Sequence, residues 1–136
     1  MDETGMGIKI ITGGVTAARG FKAASTAAGI KYKDRQDMAM IYSQEPCRSA
    51  GTFTTNIVKA APVKWDKNQV TSGAPARAVV INAGIANACT GEEGMGYCGQ
   101  TAEAAALALG ISAESVLVAS TGVIGCLLYT SDAADE

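Results

Sequence analysis

Along this chain the apolar residues come in short bursts separated by polar, glycine-rich connections, and the spacing inside each burst predicts its element. The longest unbroken burst, Ala78, Val79, Val80 and Ile81 within ARAVVINAG, shows no polar alternation. That is the pattern of a strand covered on both faces, and it predicts a central position in a sheet. VLVAS, Val116 to Ser120, predicts a second buried strand. Between them Met95, Cys98, Ala102, Ala105 and Leu109 recur at helical intervals and form one apolar stripe. Thr90 and Glu93 have capping-box spacing, Glu92 and Glu93 sit where a helix dipole is positive, and Gly110 supplies a stop. A helix is therefore expected over Gly91 to Leu109, giving the order strand, loop, helix, strand.

The first half is less regular. DMAMIYS, Asp37 to Ser43, alternates in part and predicts a strand. AGTFTTN, Ala50 to Asn56, has Thr and Phe in strand-like alternation and is expected to return beside it. Pro62 can open a short helix through Val70, because a missing N–H costs nothing in the first turn, although PVKW also fits an extended segment. Val15 to Gly29, rich in Ala and Gly, reads as a loop followed by a short helical turn.

Composition narrows the chemistry. The 136 residues suffice for one modest core. At 5% aromatic content that core must rely on Ala, Val, Ile and Gly. A formal charge of −2 with scattered lysines and arginines argues against nucleic acid as a partner. No stretch approaches the roughly 18 consecutive apolar residues of a membrane span, and MDETGMGIKIITGG lacks the features of a signal peptide, so a cytoplasmic protein is expected, with no membrane partner. The four cysteines, Cys47, Cys89, Cys98 and Cys126, form no CxxC pair and are read as free thiols. With no histidine in the chain, Ser-His-Asp and Cys-His catalysis are excluded within it, and neither a metal site nor a cofactor is expected.

GMGYCG, Gly94 to Gly99, matches the dinucleotide pattern GxGxxG but falls inside the expected helix rather than between strand and helix. Small residues for close packing are the better reading, and a non-enzymatic nucleotide-binding module using Gly94, Gly96 and Gly99 is the alternative. INAGIANACTG sets Asn82, Asn87 and Thr90 on a loop before a helix N-terminus. Such a loop can offer donors to a carboxylate or carbonyl, while satisfying turn backbone is the commoner use of such asparagines. Cys89, without a histidine base, is expected to be a buried small thiol. Thr121 and Gly122 follow a buried strand; together they read as a strand-end turn or as the hydroxyl and N–H of an oxyanion hole.

GGVTAARGFKAASTAAGIK, SAGTFTTNIVKAAPVKW, VVINAGIANACTGEEGMGYC and VLVASTGVIG, in this order, closely resemble the N-terminal part of ornithine acetyltransferase, the bifunctional glutamate N-acetyltransferase of arginine biosynthesis. ANACTGE and ASTGVIG together are highly specific, and the likeness runs from about Ile8 to Gly125. It implies a layered α/β/β/α fold of the self-processing type, incomplete here, in which a precursor cuts itself before an internal threonine. That threonine becomes the acyl-carrying nucleophile with its own α-amine as base, so no histidine is required. It implies acetyl transfer from N-acetylornithine to glutamate, with acetyl-CoA as a further donor in some members and assembly with the enzyme's own β chain as an α2β2 heterotetramer. Thr121 and Gly122 become the oxyanion pair, supported by Asn82, Asn87 and Thr90; the nucleophile lies outside this chain. Some relatives carry Asn where this chain has Ile85, and no substrate contact is assigned there. A peptidase of the same self-cleaving fold is the rival enzyme. CLLYTSDAADE, Cys126 to Glu136, departs from the family and resembles the translation of a transposon-based sequencing adapter, so residues 1–125 are expected to be enzyme and 126–136 foreign.

Overall fold

Apolar runs without alternation need cover, and the chain gives Ala78, Val80, Val116 and Val118 a pair of helices. The structure, a computed structural model, describes residues 7–127. After a 3-10 turn at Val15–Ala17 come β1 (Phe21–Thr26), β2 (Met38–Cys47), α1 (Ala61–Thr71), β3 (Ala76–Ile85), α2 (Gly91–Leu109), a second 3-10 turn at Ala113–Ser115 and β4 (Val116–Val123). The four strands form one sheet in the order β1-β2-β3-β4. The β1/β2 and β2/β3 pairs are antiparallel and β3/β4 is parallel. The expected order strand, loop, helix, strand is thus a parallel unit built around α2.

Both helices lie on one face of the sheet. Ala102, Ala105 and Ala106 of α2 pack against Ala78, Val80 and Val116, with Met38, Met40, Tyr42 and Trp65 around them. Alanines let α2 approach the strands closely, which is how a chain poor in aromatics still closes a core. Helix α1 starts at Ala61 with Pro62 in its first turn, where its fixed φ is favoured, and closes at Ser72, whose N–H reaches Asn68 O, while Gly73 N–H reaches Val70 O. It docks across the free edge of β4. Trp65 Nε1–H donates to Val116 O at 3.0 Å, and Asp66 Oδ1 accepts from Val118 N–H at 2.9 Å. Side chains thus occupy backbone groups that an edge strand would otherwise offer to another chain.

Four expectations are corrected. The strand paired with β2 is Phe21–Thr26, inside the segment read as loop and helical turn, whose only helical part is Val15–Ala17. Ala50 to Asn56 forms no strand, because both edges of β2 are already taken, by β1 and β3. Helix α2 keeps its expected limits and its left-handed Gly110 stop, but no capping box forms. The Thr90 hydroxyl donates to Asn87 Oδ1, and Glu93 accepts from the Tyr97 hydroxyl. Cys89 is exposed, held at φ 57° on the surface of its loop, whereas Cys98 is the buried thiol.

Candidate functional site

Strand alternation splits Ser120 from Thr121. Ser120 faces the helices, where its hydroxyl donates to Asn82 Oδ1 at 2.5 Å, and Thr121 faces the open side of the sheet beside Ala83. Thr121 and Gly122 are both exposed. They line a cavity of about 410 Å³ together with Ala83, Gly84 and Val123 of the strand ends and Lys31, Tyr32, Arg35 and Asp37 of the segment before β2. That volume suits a small organic substrate.

The close of β3 and β4 around this cavity requires glycine. Gly122 has φ 133°, and a Cβ there would meet the Gly84 carbonyl and come within 2.7 Å of Ile85 N. The two glycines are direct partners across the parallel pair, so a side chain at residue 122 would push the strands apart.

The loop Asn82 to Thr90 braces this turn from behind. Asn82, buried, holds Ser120 through Oδ1 and donates through Nδ2 to Ile85 O at 2.9 Å. Ala86 N–H reaches Val123 O at 2.9 Å and Gly125 N–H reaches Ala88 O at 2.8 Å, so the residues after Thr121-Gly122, like Ser120 before them, are tied to this loop. Asn87, equally buried, adopts φ 51° and donates to Gly94 O at 2.9 Å, fixing the loop to the first turn of α2. Its own carbonyl accepts Ala61 N–H from the start of α1. Thr121 and Gly122 are therefore brought together at the cavity, while Asn82, Asn87 and Thr90 point inward and stand behind it.

Gly94 explains the GxGxxG pattern. A Cβ on Gly94 would strike Thr90 Oγ1 and lie 2.5 Å from Asn87 Oδ1; Gly99 faces Trp65, and Gly96 faces open space. The first and third glycines serve loop and helix packing, and no phosphate cradle is formed by the three.

Asp37 was legible only as the polar boundary of a strand, yet it lines the cavity and ties together the segments around it. Its carboxylate accepts Ala28 N–H and Ile30 N–H, each at 2.7 Å, and its backbone O accepts Ala83 N–H at 2.8 Å. Burial would raise its pKa, but the converging backbone donors outweigh it and hold the carboxyl below the usual range. Lys31 and Arg35 were likewise missed. The signal was their crowding in KYKDR, in a chain whose other cations are scattered.

Elsewhere, burial raises Asp66 to about 6 against the opposing Val118 hydrogen bond. Burial, reinforced by the Asp66 charge, raises Cys98 to about 11. A thiol so disfavoured as thiolate is no nucleophile. Among the described residues no group of His, Cys, Asp and Glu is arranged to hold a metal, and no helix is long and apolar enough to cross a membrane.

The chain is similar to known proteins in both sequence and fold. The arginine biosynthesis bifunctional protein ArgJ of Gloeobacter violaceus is 52% identical over 115 residues, covering 85% of this chain and 28% of that protein. The chloroplastic ArgJ of Ostreococcus lucimarinus is 48% identical over 118 residues, covering 86% and 26%. The chain thus spans little more than a quarter of the length of these relatives. The crystal structure of Mycobacterium tuberculosis ornithine acetyltransferase, complexed with ornithine, superposes with a TM-score of 0.81 at 48% identity, covering 85% of this chain and 63% of that one. The Bacillus halodurans ArgJ structure gives 0.81 at 38% identity, covering 86% and 61%. Residues 22–135 match the ArgJ family, and with these likenesses in both sequence and fold the chain belongs to that family of arginine-biosynthesis enzymes.

Proposed function

We propose that this chain is the part of an ornithine acetyltransferase that supplies the oxyanion donors, and that the remainder of the polypeptide supplies the nucleophile. The observation that carries this reading is the presentation of Thr121 and Gly122 on an open cavity wall, held from behind by the Asn82 to Thr90 loop. In the whole enzyme the internal threonine, freed by self-cleavage, attacks the acetyl carbonyl of N-acetylornithine through its hydroxyl oxygen while its α-amine takes the proton. The Thr121 hydroxyl and Gly122 N–H stabilise the tetrahedral oxyanion. Collapse breaks the amide C–N bond, the proton passes to the departing nitrogen, and ornithine leaves. The glutamate amine then attacks the acetyl-threonine ester, giving N-acetylglutamate and restoring the threonine. The α-amine, with an ordinary pKa of roughly 7.7 to 8.0, suits this work near neutral pH.

On this reading the partners are N-acetylornithine, glutamate and the enzyme's own β chain in an α2β2 assembly in the cytoplasm, with acetyl-CoA a further donor in some members of the family. Cys126 to Glu136 we read as foreign to the enzyme, from the change of character at Cys126. The family match runs through this stretch to residue 135, and a longer read of the same gene decides. The test of the function uses the intact, self-processed enzyme with acetyl-labelled N-acetylornithine and glutamate, without acetyl-CoA. Equal amounts of labelled N-acetylglutamate and ornithine, with ping-pong kinetics, are expected. Peptide hydrolysis without acetyl transfer supports the peptidase instead.

A further inference from the structure

Two rows of side chains run along the helix-covered face of β3 and β4, and both change character at the same rung. Ala78 stands beside Val116 and Val80 beside Val118, all four buried and apolar. The next rung sets Asn82 beside Ser120, and the one after it Gly84 beside Gly122. Asn82 is only 4% exposed, on a row whose earlier positions are filled by apolar side chains. A hydrogen-bonded polar pair adds little net stability over an apolar pair of the same shape, so stability does not explain this one.

Direction does. Gly84 and Gly122 have φ 114° and 133°, conformations reached through glycine's freedom, and that freedom leaves the chain around them less constrained by its own sterics. The Asn82 amide supplies the missing constraint to both strands. Its Oδ1 accepts the Ser120 hydroxyl at 2.5 Å, immediately before Thr121-Gly122, and its Nδ2 donates to Ile85 O at 2.9 Å, immediately after Gly84. Ile85 N is in turn 2.7 Å from where a Cβ on Gly122 would lie. One side chain thus spans the glycine pair, accepting on one strand and donating on the other. An amide offers both functions, whereas a carboxylate or an apolar group does not.

We propose that Asn82 is a positioning residue for acyl transfer, acting through Ser120 and Ile85 to aim the Thr121 hydroxyl and the Gly122 N–H. This rests on the reading of those two groups as oxyanion donors and deepens it, because a donor works only when pointed at the place where charge develops. A displacement of about 0.5 Å, or about 10–20°, is enough to weaken such a site. Asn82 and Ser120 therefore govern the rate of the oxyanion step more than substrate binding or the stability of the fold.

The experiment measures kcat, KM and thermal midpoint on the intact, self-processed enzyme, with rates referred to the cleaved fraction on a gel. Asn82→Leu/Ser120→Ala replaces both partners by apolar groups and is expected to lower kcat by about tenfold to a hundredfold, the scale for a misplaced reacting group, with KM and midpoint close to wild type. Ser120→Ala alone should lower kcat and also the midpoint, since it leaves Asn82 Oδ1 buried and unpaired. Ser120→Thr, which keeps the hydroxyl, should restore both. As a control, Val116→Ala opens a buried site six residues before Gly122 and should lower the midpoint while keeping kcat. The decisive arm repeats the double variant in a Thr121→Ala background, where half of what Asn82 aims is gone and the further loss of kcat should be distinctly smaller. An equal loss in the two backgrounds overturns the proposal. So does a kcat within twofold of wild type in the double variant, or a loss that the midpoint alone accounts for. The underlying reading fails on a different result, a cleaved Thr121→Ala enzyme with wild-type kcat.

Discussion

Ser120 and Thr121 are adjacent, yet one is consumed by the scaffold and the other is presented to the cavity. The Ser120 hydroxyl is bonded to Asn82, whereas the Thr121 hydroxyl has no partner among the described residues. Replacing Thr121 by Ala in the intact enzyme is therefore expected to reduce kcat by roughly a hundred- to thousandfold, about 2.7 to 4 kcal/mol, because the lost donor acts mainly on the developing oxyanion. KM for N-acetylornithine should change little, since the ground-state carbonyl binds that donor weakly. Self-cleavage must be followed separately, as it passes through its own oxyanion; a fully cleaved variant with wild-type kcat would return Thr121 to a strand-end turn. Gly94 has a different task. Gly94→Ala forces a methyl onto Thr90 and Asn87 and should lower stability by about 1 to 3 kcal/mol, read as a fall in thermal midpoint. Adenine nucleotides should bind neither protein. Thr121 and Gly122 could be named from sequence because motif and strand end coincide there. Lys31, Arg35 and Asp37 could not, because their significance lies in a loop folding back from β1 onto β3, and that long-range contact leaves no local period.

Among the elements, α2, β3 and β4 were legible because burial imposes a period or an unbroken apolar run on each of them. FKAAST has neither, being almost wholly exposed on the outer edge of the sheet, and its strand conformation comes from pairing with β2. AGTFTTN has good intrinsic strand character but no free edge to join, so tertiary context overrides it. The contact of α1 with β4 was invisible for a similar reason, and it has a pH signature. Asp66 is raised from 3.8 to about 6 by burial. Between those values the folded protein holds more protons than the unfolded chain, so this group lowers stability as pH rises across that window. Asp66→Asn keeps an acceptor for Val118 N–H and removes the titration. The thermal midpoint of the wild type relative to the variant should decline from pH 4 to pH 6 and level off above. A difference constant across that range would show that Asp66 does not titrate in the fold. The same burial governs thiol chemistry, and native-state alkylation near pH 8 should label exposed Cys89 while sparing Cys98, whose pKa is about 11. Mass mapping of the labelled peptides distinguishes the two.

At the scale of the whole molecule the sheet has two unequal faces. Both helices cover the side of Ala78, Val80, Val116 and Val118, while Ile41, Val79 and Leu117, aligned across three strands, form the other side with Ala39, Ile81 and Ala119 in the next row. None of these six is fully buried. Beyond the sheet, Ile57 is 98% exposed, Val58 72% and Leu107 86%. An apolar sheet face and exposed apolar side chains of this kind are surfaces expecting cover, and a second sheet laid on the open face is what the layered α/β/β/α arrangement supplies. The sequence pattern of β3, apolar at consecutive positions, already demanded cover on both sides, and this chain provides it on one. Expressed alone, residues 1–136 are therefore expected to elute as large, polydisperse species in size-exclusion chromatography, to bind a hydrophobic dye, and to transfer no acetyl group. Co-expression with the remaining polypeptide should abolish dye binding, because the same face becomes an interior between sheets. The comparison separates missing cover from poor intrinsic folding. If the isolated chain is instead monodisperse, dye-silent and unfolds cooperatively, then Ile41, Val79 and Leu117 tolerate water, and the one-sided sheet is a complete structure in its own right.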